Sequence, residues 1–263
     1  MKMFIMRTYR ILVQIILLSI ATCFSQSRAT AQAIMEAKSL IQQASDKASR
    51  EKFEQAQNIL TLYVAQGINQ ALAEYYLGYI DYQMAVVVNR MDKEKAPAYL
   101  DSAVEHLEKA IEKNDSLAEA HALLSSCYGM QISFSPLSGI WRGPKSGSEM
   151  GKAKTLSPEN PRVALLGAIG TYNTPAIFGG GKEKGFESLK KAAELFDRWK
   201  LLDSLQPDWG KEQVYAWIGL AYIDRNETIL ARKAFEKALE INPEYGWVKY
   251  ILLPKVASEV EQK

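Results

Sequence analysis

Near the end of the chain, large and small residues recur at spacings that only a pair of packed helices can use. Tyr215, Ile218, Gly219 and Tyr222 fall on one helical face. After eight intervening residues Ala231, Phe235 and Ala238 fall on another, and Pro243 closes the unit. Glycine or alanine is needed where two helices touch, and bulky residues three and four apart fill the gaps on the same faces. Proline cannot continue the second helix, so it separates one unit from the next. The same template fits further back. Leu77-Gly78 opens a unit closed by Ala103, Leu107, Ala110 and Asp115. Leu124-Ser125 opens another, closed by Ser146, Met150, Ala153 and Pro158. Leu166-Gly167 opens a fourth, closed by Gly185, Leu189 and Ala192. A faint first unit runs from Leu40 and Ala44 through Ala56 and Leu60.

This pattern resembles the tetratricopeptide repeat (TPR), a helix–turn–helix unit of about 34 residues, and it covers almost the whole chain after the first 25 residues. The resemblance implies an all-α fold: an α-solenoid of antiparallel helix pairs with about five TPR-like units. One departure is consistent. The two small residues of a unit are 12 apart in the last repeat but 25, 21 and 18 apart in the second, third and fourth. The extra residues fall between the two helices of a unit, where solenoid insertions collect as loops on one face. Enlarged connections are therefore expected from Gln83 to Pro97, Gln131 to Gly147 and Tyr172 to Gly181. Thr30 to Ser49 reads as an N-terminal helix. Leu195 to Asp208 reads as an extension of the fourth unit that breaks at Pro207. Trp247, Ile251 and Leu252 are placed to cover the end of the core.

The N-terminus has another character. Met1 to Arg10 is basic, and Ile11 to Phe24 is an apolar run of 14 residues, shorter than the roughly 20 that a spanning helix needs. A basic head, a short apolar run and small residues read as a secretory signal peptide at 1–25, followed by a repeat domain at 26–263. Cleavage fits after Ser25, or after Ala31 at the end of Ala29-Thr30-Ala31. Ile20-Ala21-Thr22-Cys23 also resembles a lipoprotein box, in which Cys23 would be lipidated, although Thr22 suits that box poorly. The expected location is the periplasm, or the outer membrane under the lipoprotein reading. The whole chain of 263 residues has a net charge of +2. Without Lys2, Arg7 and Arg10 it holds 29 basic against 30 acidic residues, so no polybasic footprint for nucleic acid remains. Cys127 is then the one cysteine left, in an apolar helical pattern that reads as a small buried hydrophobe.

Three features are candidate sites. Phe178-Gly179-Gly180-Gly181-Lys182-Glu183-Lys184 has the look of a phosphate loop, but Ala176 stands where a P-loop needs its first glycine and Glu183 where it needs Ser or Thr. A turn before the second helix of the fourth unit fits better, with Phe178 anchored on the core. A weaker anion-binding reading involves Lys182, Lys184 and the helix N-terminus. The segment Ser133 to Gly147 carries Phe134, Leu137, Ile140 and Trp141 among Pro, Gly and Ser. It reads as a packed lid or as an exposed contact anchored by Trp141 and Arg142. Tyr75, Tyr79 and Tyr82 form a stripe on one helix face, either core or the lining of the concave groove that the TPR resemblance implies. The family's carboxylate clamp is missing: the matching faces offer Ile41, Ser45 and Ala48, then the three tyrosines. Tyr172, Phe178 and Lys182 complete the candidate contacts.

Catalysis finds little support. His106 and His121 have no metal-ligand partner at helical spacing, and no nucleophile motif or paired-cysteine motif occurs. The sequence therefore points to a non-enzymatic scaffold that needs no cofactor and binds a protein or peptide. A small-ligand-binding accessory of a periplasmic transport system is the alternative, through a resemblance to TPR-containing transporter subunits. An enzyme is the third reading.

Overall fold

The computed structural model describes residues 29, 31–65, 70–89 and 92–260. The expected signal segment and Cys23 lie outside them. Among the described residues there are helices and no strands. Helix α1 spans 31–47. It is followed by α2 (Arg50–Val64), α3 (Gln70–Asn89), α4 (Ala96–Lys113), α5 (Ala118–Phe134) and α6 (Gly139–Leu156). Then come α7 (Pro161–Asn173), α8 (Lys182–Arg198), α9 (Lys211–Asp224), α10 (Thr228–Ile241) and α11 (Leu253–Val260). Helices α3/α4, α5/α6, α7/α8 and α9/α10 pack as successive hairpins, and each hairpin stacks on the next. The fold is an all-α helical repeat.

The two helices of a hairpin differ because their surroundings differ. Helices α3, α5, α7 and α9 are sandwiched between neighbours and are buried on nearly every side; α5 buries an unbroken run from Ala118 to Ser125. Helices α4, α8 and α10 lie outside and bury one stripe each, such as Leu100, Ala103, Leu107 and Ala110 in α4. Small residues sit where the paired helices meet. A Cβ on Gly78 would stand 2.7 Å from the Leu107 side chain, and one on Gly219 would overlap the Phe235 ring. In the third unit Ser125 and Ser146 take these places, and the Ser125 hydroxyl donates to the Ser146 carbonyl at 2.8 Å.

In the second and third units most of the extra residues lengthen the helices instead of forming loops: α3 continues past Gln83 to Asn89, α5 ends at Phe134, and α6 begins at Gly139. In the fourth unit the expected connection does form, an irregular segment over 174–181 that holds one 3-10 turn, Ala176–Phe178. Lengthening both arms of a hairpin keeps every added backbone N–H and C=O bonded, which a long loop would not. The connection in the third unit is one short 3-10 turn, Pro136–Ser138. Ser135 (φ −136°, ψ 82°) lies outside the helical region, which the following proline disfavours, and that ends α5. Pro144 is tolerated inside α6, which buries only Ala153 completely.

Two further corrections concern the ends. Helix α8 stops at Arg198, well before Pro207, and 199–210 is irregular. After α10 a π-helical turn, Val248–Leu252, leads into α11. Val248, Leu252 and Val256 cover the last unit, and Trp247 packs at the margin, but Ile251 is exposed.

Candidate functional site

Helices α1 and α3 reach across to the irregular segment before α9. The Lys38 ammonium donates to the carbonyls of Ser204 and Gln206 at 2.5 and 2.7 Å, and it pairs with Asp208 at 3.1 Å. The Tyr76 hydroxyl donates to the Leu205 carbonyl at 2.7 Å. The Trp209 indole donates to the Tyr75 hydroxyl at 3.0 Å and stacks on Tyr79 with ring centres 4.6 Å apart. At the far end the Asn242 amide donates to Asp46 at 2.7 Å. The solenoid thus closes on itself, and its concave side is filled by α1, Trp209 and the tyrosines. Tyr75 and Tyr79 are buried, Tyr82 is half-buried, and burial pushes all three phenols above their ordinary range. These side chains are committed to the core.

The glycine turn also consumes its own polar groups. The N–H of Phe178 and that of Gly180 donate to the Pro175 carbonyl, that of Gly179 to Ala176, and that of Gly181 to Thr171. Lys184 is held by the Gly179 carbonyl at 2.8 Å, and Lys182 pairs with Asp224. Tyr172 is buried, and its hydroxyl donates to the same Asp224. Burial pulls the Asp224 carboxyl upward, but hydrogen bonds from Lys182 and Tyr172 outweigh it and hold the group below its ordinary value. The turn's own N–H groups, which a phosphate loop would offer, are therefore already bonded. Phe178 does not anchor the turn; it is 75% exposed, beside an exposed Ile177. Close backbone packing holds the turn instead. Gly179 and Gly181 have φ of +85° and +128°, and a Cβ on Gly180 would overlap the Thr174 carbonyl. Replacing Gly179, Gly180 and Gly181 together by alanine is expected to destabilise the fold by about 3 kcal/mol or more. Thermal melts check this, and calorimetric titration of the native chain with ATP should give no saturable heat.

An open site remains on the outside. Helices α4 and α6 stand apart over α5 and leave a cleft of about 340 Å³. Asp101, Glu105 and Glu108 line its α4 wall, Trp141, Arg142 and Lys145 line its α6 wall, and Tyr128 and Gln131 form the floor. Polar links cross it. Gln131 donates to Asp101 at 2.6 Å and accepts from Arg142 at 2.9 Å. The Tyr128 hydroxyl donates to Glu108 at 3.0 Å, and the Lys145 ammonium lies 5.9 Å from the Tyr128 ring. Burial, reinforced by Glu108, pushes the Tyr128 phenol upward, so it remains a donor. Trp141 is 55% exposed. Helix α6 is intrinsically weak, with Gly139, Gly143, Gly147, Gly151 and Pro144, so one wall of the cleft can adjust.

Comparison with known proteins follows the geometry. A family model described as tetratricopeptide repeat matches residues 212–245. This chain carries a tetratricopeptide repeat. Among solved structures, the HusA haemophore from Porphyromonas gingivalis is similar in fold. Its TM-score is 0.60 at 20% identity, over 74% of this chain and 93% of that one. TTC0263, a thermophilic TPR protein in Thermus thermophilus, has a TM-score of 0.58 at 15% identity, over 85% of this chain and 98% of that one. The search of curated proteins returned no match.

In this helical-repeat array Trp141 and Arg142 come together in one cleft. Tyr172, Phe178 and Lys182 belong to the neighbouring tip, and Tyr75, Tyr79 and Tyr82 to the interior. Both histidines are engaged: His106 Nδ1 lies 2.6 Å from Glu74, and His121 is buried between Glu149 and the Asp115 carbonyl. Burial pushes the Cys127 thiol well above its ordinary range, so it packs as a hydrophobe. Among the described residues no group of three potential metal ligands occurs, and no helix is long and apolar enough to cross a membrane. Sequence reasoning missed Asp101, Glu105, Glu108, Tyr128 and Lys145. They read as ordinary helix-face residues, and only the gap between α4 and α6 singles them out.

Proposed function

We propose that this protein is a non-catalytic TPR scaffold of the periplasm that binds a protein or peptide in the cleft between α4 and α6. A TPR fold suits an interaction scaffold, and one observation supports this choice of site. The concave side is filled by the chain itself, while the outer cleft stays open with Trp141 at its rim. Tryptophan and arginine are both enriched among binding hot spots. The acidic α4 wall and the basic α6 wall suit an extended segment with charges of both signs. Placement in the periplasm rests on the leader-like residues 1–25, and lipidation at Cys23 would instead tether the scaffold to the outer membrane.

A peptide library panned against the protein should enrich segments with an aromatic residue between opposite charges. Trp141→Ala, or Arg142→Glu with Lys145→Glu, should weaken the selected peptides at least about tenfold while leaving the melting temperature nearly unchanged. Unaltered binding to both variants would remove the cleft from consideration.

A second reading, a small-ligand carrier, has the volume of the cleft in its favour, since about 300–1,000 Å³ is usual for such sites. The haemophore in the comparison shares the fold only. A dicarboxylate such as haem would meet Arg142 and Lys145 but also Asp101, Glu105 and Glu108. Titration with haemin separates the two readings: a saturable Soret shift lost in Trp141→Ala supports the carrier.

A further inference from the structure

The charges of the cleft between α4 and α6 are arranged in two layers. Gln131 marks the first: it donates to Asp101 on the α4 wall at 2.6 Å and accepts from Arg142 on the α6 wall at 2.9 Å. Tyr128, about one turn earlier on α5, marks the second. Its hydroxyl donates to Glu108 on the α4 wall at 3.0 Å, and the Lys145 ammonium of the α6 wall lies 5.9 Å from its ring. Each layer therefore holds a carboxylate on α4 and a cation on α6. Neither pair is closed. Gln131 lies between the first two groups and Tyr128 between the second two, and among the described residues none of the four charges forms an ion pair. Glu105, the third carboxylate of the α4 wall, pairs with Lys109 of its own helix at 2.6 Å.

We propose that the partner of this cleft is a second copy of the chain, related to the first by a two-fold axis running along the cleft. The proposal rests on reading the cleft as a protein-binding site and names the protein. A half-turn about that axis exchanges the two walls and leaves each layer at its own level. Asp101 then faces the partner's Arg142, Glu108 faces the partner's Lys145, and both contacts repeat with the roles reversed. A half-turn about an axis across the cleft would set acid on acid and base on base, so charge selects the first arrangement. An unrelated protein would need the opposite charges at both levels independently; a second copy supplies them by symmetry. Asp101, Glu108 and Lys145 are exposed and Arg142 is half-buried, so the four are solvated in the single chain. Their pairing across the axis fixes orientation and excludes wrong partners more than it adds affinity. The apolar contribution comes from the same wall. Trp141 is 55% exposed beside Arg142, and Leu137 and Ile140 at the adjoining tip are 78% and 79% exposed.

The test is sedimentation equilibrium of the full chain, which should show monomer and dimer at micromolar concentrations. Arg142→Glu with Lys145→Glu makes both walls acidic, and Asp101→Lys with Glu108→Lys leaves both predominantly basic. Each variant alone should have its dimer Kd raised about a hundredfold or more, because like charges then meet across the axis. An equimolar mixture of the two variants should associate again, since every acidic wall then finds a basic one. Melting temperatures near wild type check that both variants fold. Trp141→Ala, which leaves the charges in place, should weaken the dimer about tenfold or more. The proposal fails if the wild-type chain stays monomeric up to about 200 µM. It also fails if the mixture stays dissociated, or if association survives either charge reversal, which would assign it to another face or to residues 1–28. Peptide binding is scored separately. A monomer that still binds the selected peptides overturns the dimer alone, whereas a dimer that obeys the charge reversals while no peptide is enriched overturns the peptide reading alone.

Discussion

Replacing Glu119 by leucine is expected to destabilise the fold by about 3–5 kcal/mol and to lower the melting temperature by roughly 10 °C. The Arg162 guanidinium is buried at 1% exposure, and the described residues offer it one carboxylate, Glu119, at 3.2 Å. The Asn160 amide donates to the same carboxylate oxygen at 2.6 Å, and its own oxygen caps α7 by accepting from the N–H of Arg162 and of Val163 at 3.0 and 3.4 Å. Loss of Glu119 would leave a buried charge without its counterion and an unanchored cap at once. Most of the cost comes from the stranded cation rather than from the pair itself. The double variant Glu119→Leu with Arg162→Met should therefore recover much of the lost stability. Urea titrations of the two single variants and the double variant measure the coupling. A double variant no better than Glu119→Leu would mean that the pair is not what makes the site sensitive.

Gly185→Ala should cost about 3 kcal/mol, although alanine is the better helix former. A Cβ at 185 would overlap the backbone of Tyr172, so α7 and α8 could not close to their observed distance. The clash involves backbone on both sides and has no flexible side chain to yield. Gly151→Ala is the control. It lies in α6 with open space around the added methyl, and it should stabilise by about 0.5–1 kcal/mol. Thermal melts of the two variants should move in opposite directions. A parallel shift would show that helix propensity, rather than interhelical contact, governs these glycines.

These glycines mark how much was legible beforehand. Gly78, Gly185 and Gly219 are recognisable because their partners Leu107, Tyr172 and Phe235 lie within one hairpin, at separations that the helix period and the turn determine. The turn at Gly179 to Gly181 is legible for the same reason, since its φ requirements are local. The segment 133–147 misleads because its glycines and prolines suit a loop by propensity. Packing against α5 overrides that preference, through the Ser125–Ser146 pair and the contact of His121 with Glu149. Of the candidate site, Trp141 and Arg142 could be named from sequence. The opposite wall could not, because nothing in α4 records that α6 will stand apart from it.

The sequence by itself determined the hairpin frame, the helical class and the short contacts that close each unit, because those contacts follow from periods of three and four residues repeated along the chain. Only the tertiary structure decided that the solenoid closes, with Tyr76 meeting Leu205 and Asp46 meeting Asn242 across 129 and 196 residues. Separations of that size carry no local signature; they depend on the small rotation between successive hairpins accumulated over the whole array. The same accumulated geometry buries Tyr79 and leaves Trp141 and Phe178 exposed, since the exposure of a side chain is set by which distant segment arrives to cover it.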